Sequence, residues 1–186
     1  MGTLRYGVMA CSLDGYVADG AGGFEWTHPS DEVYAFLNQV VTGERVFVMG
    51  RRMWETMRVW DSWEVGKSAI ADEFVQIWEG ADKIVCSGSI APTPAPRTTF
   101  EPRLTTARLA EIVAATDGVV DISGPTMAAD ALRAGMVDEV HMIVVPRVVG
   151  GGLRLFPDGL RLSLELVEKH SFESGSVYLR YGGARD

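Results

Sequence analysis

The stretch GVVDISGPTMAADALRAGMVDEVHMIVVP, residues 118–146, sets the fold class. An apolar, β-branched run over 118–123 breaks at Gly124, and good helix formers fill 125–134. Pro125 suits a first helical position, where its fixed φ is already helical and its missing N–H would have found no intrahelical acceptor. Gly135 then stands where a C′ glycine turns the chain left-handed, and strand patterning returns over 138–146. Two strands joined through a helix are not hairpin partners. A crossover of this kind makes them parallel.

Outward from that unit the same alternation repeats. Strand patterns read at 3–11, 45–49 and 82–87, and a last extended stretch over 162–182 is broken at Glu173–Ser176 (ESGS) by hairpin turn residues. Helical patterns read at 30–41, 51–58, 68–79 and 106–115. Ser30 precedes Asp31 and Glu32, and Thr105 or Thr106 precedes Ala107, as capping residues do. Residues 88–105 carry four prolines and leave room for a short edge strand at best. No internal repeat and no second core is visible. The expectation is an α/β fold, a single domain over 1–186. Its one mixed, mostly parallel sheet is flanked by helices and ends in a C-terminal antiparallel hairpin.

Composition narrows the function classes. A chain of 186 residues with 47% apolar content buries roughly 70% of its unfolded surface, so its core needs neither metal nor disulfide. Cys11 and Cys86 both lie in strand patterns, which points to buried thiols. A net charge of −8 argues against nucleic-acid binding, which rests on phosphate neutralisation, but leaves room for a small anionic ligand beside a local cluster of arginines. No targeting pattern and no apolar run of about 20 residues occurs, so a cytoplasmic protein without a membrane span is expected.

The chemistry-bearing motifs are few. No GxSxG elbow, HExxH or P-loop is present, and His28, His141 and His170 are too scattered for zinc, so no metal site is expected. GAGGFE (20–25) and GGG (150–152) open no helix and fail as dinucleotide fingerprints. What remains lies at strand ends, where open α/β sheets bind ligands. In VFVMGRRMWE (46–55) a buried strand delivers Gly50 and then Arg51 and Arg52 at a helix start. CSGS (86–89) is small and hydroxyl-bearing, and Gly124 leads directly into a helix. Glycine permits close backbone approach, and helix N-termini offer free N–H groups to an anion. Together these three ends suit a long phosphorylated ligand such as a dinucleotide.

ACSLDGYVA (10–18), VFVMGRRMWE and SGPTMAADALRAGMVDEVHMIVVPRVVGGGLRLF (123–156) together resemble the dihydrofolate-reductase-like superfamily. Within it the chain is most similar to the reductase domain of riboflavin biosynthesis. That resemblance implies an NADPH-dependent reductase, homodimeric, acting on a heterocyclic or ribosylaminopyrimidine substrate. Ala10 would lie beside the nicotinamide carboxamide and Val17 near its ring. Gly50, Arg51 and Arg52 would meet the pyrophosphate and 2′-phosphate, with Met53 contributing backbone only. Ser87 would lie near the adenosine, and Gly124, Thr126 and Met127 would bring a second helix N-terminus to the pyrophosphate. The family pairs glycines where this chain has Ser123–Gly124, and Pro125 removes one N–H donor. Trp26 and Asp31 keep the family's tryptophan-to-carboxylate spacing, which makes Trp26 a substrate residue and Asp31 the candidate acid. Asp31 also suits a first helical turn on electrostatic grounds alone, and Asp14 in SLDG reads as a loop-shaping residue. The chain opens directly on its first strand, so no deaminase domain is expected ahead of it. Two other readings stand beside this one: a nucleotide-binding protein without turnover, and a reductase of pterin or folate substrates.

Overall fold

A computed structural model describes residues 2–43 and 45–183, with Val8 and Met9 described by their backbone only. Its main sheet contains β1 (Thr3–Ser12), β3 (Arg45–Gly50), β4 (Asp82–Cys86), β5 (Thr98–Glu101), β6 (Val119–Ser123), β7 (Glu139–Val145), β9 (Leu164–Ser171) and β10 (Val177–Gly183). Their order is β5-β4-β3-β6-β1-β7-β10-β9. The six strands from β5 to β7 run parallel, and the hairpin β9–β10 adds two antiparallel strands beyond β7. A second, two-stranded sheet pairs β2 (Tyr16–Ala18) with β8 (Leu153–Arg154).

The helices are α1 (Asp31–Val41), α2 (Arg51–Met57), α3 (Ala69–Gly80), α4 (Thr106–Ala115) and α5 (Pro125–Arg133). Three carry hydroxyl caps: Ser30 accepts from the Val33 amide, Ser68 from Ala71 and Thr105 from Arg108. At the other end of α5, Gly135 at φ 63° accompanies bonds from its own N–H to the Leu132 carbonyl and from the Met136 N–H to Ala131. That is the Schellman arrangement, and only a residue tolerant of positive φ closes it cheaply.

Alternating side chains divide the core between the two faces of the sheet. Leu4, Tyr6, Val48, Val120 and Ile122 pack against Leu109 and Ile112 of α4 and Ala128 and Leu132 of α5. On the other face Phe47, Met49 and Val85 meet Trp54 of α2 and Trp78 of α3. Trp54 and Trp78 are thus packing residues, and both thiols are buried.

Besides the second sheet, two features depart from the sequence reading. β1 contains an irregularity after Tyr6, where Gly7 has φ +124° and an added Cβ would fall 2.0 Å from the His141 carbonyl oxygen. The close approach of β7 to β1 therefore excludes any side chain there. In addition, two stretches outside the helical and strand patterns contain short 3₁₀ helices, Glu25–Thr27 and Arg58–Ser62.

The face that carries Phe47 also holds a buried ionic cluster under the end of α1. Arg5 of β1 and Arg45 of β3 both pair with Asp121 of β6. The second guanidinium has no carboxylate of its own. Instead the carbonyls of Val40, Val41 and Thr42 at the end of α1 accept from the two arginines, and their partial negative charge offsets the excess cation. Nearby, His141 bridges Glu139 (2.8 Å at Nε2) and the Tyr178 hydroxyl (2.8 Å at Nδ1). Burial, reinforced by Arg5, pushes the His141 pKa down to about 3, so the ring is neutral, donating to Glu139 and accepting from Tyr178.

Candidate functional site

Because the strands from β5 to β7 are parallel, their carboxyl ends lie along one edge of the sheet. The residues singled out in the sequence fall on that edge in neighbouring strands: Ser87 after β4, Gly50 at the end of β3, Gly124 after β6 and Ala10 near the end of β1.

α2 and α5 start there side by side. Met49 pairs with Ser123 in register, and a Cβ added to Gly50 would lie 3.2 Å from Met127 Cε. Both helices begin at glycine with no side-chain cap, unlike the hydroxyl-capped α1, α3 and α4. Their first N–H groups have no intrahelical acceptor. Pro125 removes one donor from α5, which leaves those of Thr126 and Met127. Gly124 has φ +94°, and an added Cβ would meet nothing within 4 Å, so the space over this helix start is open.

Arg51 and Arg52 are exposed at the start of α2. Arg51 Nε lies along its own helix, 2.7 Å from Glu55 Oε1. Met53 is half-buried, packed into both neighbouring core clusters. Ser87 is half-buried, its hydroxyl 3.3 Å from that of Ser89, and its N–H donates to the Glu101 carbonyl.

On the other side of β1, Ala10 and Trp26 pack against one cluster formed by Val33, Ile143, Val145, Phe172 and Tyr178. The Trp26 indole N–H donates to the Gly23 carbonyl at 3.1 Å, which fixes the ring against its own loop. Asp31 is the first residue of α1 and is exposed. Val17 is buried with Leu155 and Tyr6.

Residues 12–16 are held against residues 147–155. Leu13 N–H donates to the Arg147 carbonyl, and Leu155 N–H to that of Gly15. The Asp14 carboxylate accepts from the Val149 and Gly150 amides at 3.2 and 2.8 Å. The Ser12 hydroxyl, with those two amides, holds its carboxyl below the usual range. The Arg154 guanidinium lies 4.9 Å from the Tyr16 ring centroid. Sequence reasoning treated Asp14 as shaping its own loop and set GGG aside. The signal was there in three consecutive glycines, of which Gly150 and Gly152 take positive φ.

Among the described residues no group of three or more His, Cys, Asp and Glu side chains gathers, and no helix is long and apolar enough to cross a membrane.

No curated protein matches the chain significantly in sequence. Among solved structures, a chain from Shewanella sp. PV-4 assigned to riboflavin biosynthesis superposes with a TM-score of 0.71 at 21% identity, covering 100% of both chains. Dihydrofolate reductase from Enterococcus faecalis, solved with NADP(H), gives 0.65 at 14% identity, covering 98% of this chain and 97% of that one. The Thermotoga maritima diaminohydroxyphosphoribosylaminopyrimidine deaminase/5-amino-6-(5-phosphoribosylamino)uracil reductase gives 0.65 at 15% identity. It is matched over 99% of this chain but 56% of its own, so this chain spans little more than half of its length. These likenesses show a dihydrofolate-reductase-like fold. The sequence profile of the RibD C-terminal domain matches residues 7–179, and it is to this family that the chain belongs.

Proposed function

We propose that the protein is an NADPH-dependent reductase of a heterocyclic, ribosylaminopyrimidine-type substrate. The observation that carries the reading is the pair of uncapped, glycine-started helices on adjacent strands, with Arg51 and Arg52 beside them. The open space over Gly124 and the N–H groups of Thr126 and Met127 fit a pyrophosphate. The guanidiniums fit a 2′-phosphate, which they grip in bidentate fashion. Ser87 stands toward the adenosine, and Ala10 and Val17 toward the nicotinamide.

The cofactor supplies a hydride when bound. The chain's own part is placement. Ala10 pairs in register with Ile143 of β7, and Trp26 packs on the same cluster, so both walls rest on the core. Such orientation is worth roughly 7–11 kcal/mol when the geometry is right. Asp31, exposed at the start of α1, is the acid available to deliver a substrate proton. The same reading includes a homodimer, to which Val148, 71% exposed, contributes an apolar contact. A monomer in light scattering would remove that part.

The test is calorimetric titration with NADPH and NADH. NADPH is expected to bind tighter, by about tenfold or more, and Arg51→Ala or Arg52→Ala to erase the preference. Equal affinity for both cofactors in the unaltered protein would overturn the arginine assignment, and binding of neither would overturn the reading itself.

A further inference from the structure

The glycine run 150–152 is explained by neither the sheet nor the phosphate edge. Gly150, at φ +76°, presents its N–H to Asp14 Oδ2. At Gly152 an added Cβ would fall 2.1 Å from the Ala18 carbonyl oxygen, so the strap passes directly against the backbone of β2. At Gly152 the chain lies too close to Ala18 and Asp19 for any side chain.

Asp14 hydrogen-bonds the two segments together through its side chain. An aspartate serving only its own turn bonds backbone groups about two residues on. Here the turn closes without it, through Gly15 N–H to the Ser12 carbonyl. Beyond the Ser12 hydroxyl, both Asp14 oxygens reach across to Val149 and Gly150. β1 ends at Ser12, so the loop beyond it gains no position from the main sheet. Its place is set by this carboxylate, the Leu13 and Leu155 backbone bonds and the short β2–β8 ladder. The loop leads from Ala10 to Val17, the two residues read as flanking the nicotinamide.

We propose that Asp14, acting through the strap 150–152, is a positioning residue that latches the nicotinamide-side wall of the cofactor groove. The proposal rests on the NADPH reading above for what the wall faces, and on geometry alone for the latch. Asp14 does not touch the reacting atoms. Its removal loosens the wall, which the Leu13 and Leu155 backbone bonds still hold in part, and leaves the phosphate edge, on the far side of β1, as it was.

The experiment compares Asp14→Ala and Asp14→Asn with the unaltered protein, using two probes. NADPH spans both ends of the groove, whereas 2′,5′-ADP carries only the adenosine end. Asp14→Ala is expected to weaken NADPH about tenfold while 2′,5′-ADP stays within about twofold. Asp14→Asn, whose single amide oxygen replaces two acceptors, falls between. Amide hydrogen exchange should rise in 12–18 and 147–152 and nowhere else, with the melting temperature within about 2 °C. Equal losses for both probes, or NADPH affinity unchanged, would overturn the positioning role. Unchanged exchange in the two segments of Asp14→Ala would overturn the latch whether or not NADPH binds. Failure of the unaltered protein to bind either probe would instead strike the cofactor reading.

Discussion

The same three adjacent strands, β3, β6 and β1, carry two polar regions of opposite character. Toward their amino-terminal halves Arg45, Asp121 and Arg5 are almost wholly buried, and carboxylate and helix carbonyls satisfy their guanidinium donors. At their carboxyl ends Gly50 and Gly124 begin helices without side-chain caps beside exposed Arg51 and Arg52. A buried charge must find its partners inside the protein. At an exposed helix start water serves until a ligand arrives. The first region therefore holds the strands in register, and the second leaves donors for something else to take.

Substitutions should separate the two. Asp121→Ala strands two buried guanidiniums and is expected to cost about 3–5 kcal/mol in denaturant unfolding, by far the largest effect. A loss under about 1 kcal/mol would mean that the cluster holds little. Acid should expose the same region through His141. Its folded pKa, about 3, lies below its ordinary 6.5, so the unfolded chain takes up the proton first. Its contribution is complete above pH 6.5 and is lost as the pH falls toward 3. Unfolding curves across that range check this, and His141→Gln should flatten the slope.

Gly124→Ala tests the other end. Its φ of +94° and ψ of 129° make an alanine there cost about 1–3 kcal/mol in conformation, with no clash to add, since the space is open. Weaker NADPH binding should accompany the loss, whereas Asp121→Asn should affect unfolding and leave the glycine edge unaltered. Smallest of all, Arg52→Ala should change stability by no more than about 0.5 kcal/mol while changing cofactor preference. An arginine at that edge that proved important for stability would blur the distinction between the regions.

How much of this was legible follows from the range of each interaction. Ser30, Ser68 and Thr105 cap helices within three residues of themselves, and the strand segments alternate within a few residues, so these elements are visible in short windows. Gly50, Arg51, Arg52 and Gly124 were recognisable as strand-end residues for the same reason. The partners of Arg5 and Arg45 were not, since Asp121 reaches them only through strand pairing. Nor was the Gly7 irregularity, whose cause is a carbonyl on β7. Asp14 looked like a turn residue because Asp-Gly is one, and its bonds lie at the far end of the chain.

The sequence by itself determined the class of the fold, the identity of its helices and of most of its main-sheet strands, and the glycine and arginine chemistry available at their ends. Local periodicity, capping and φ preference require nothing beyond neighbouring residues. Only the tertiary structure decided that β3 and β6 lie side by side, so that Gly50 approaches Met127, and that residues 147–152 close over the loop after β1. Strand order is chosen by which pairings bury the most apolar surface while satisfying every backbone hydrogen bond, and that selection acts on the whole chain at once.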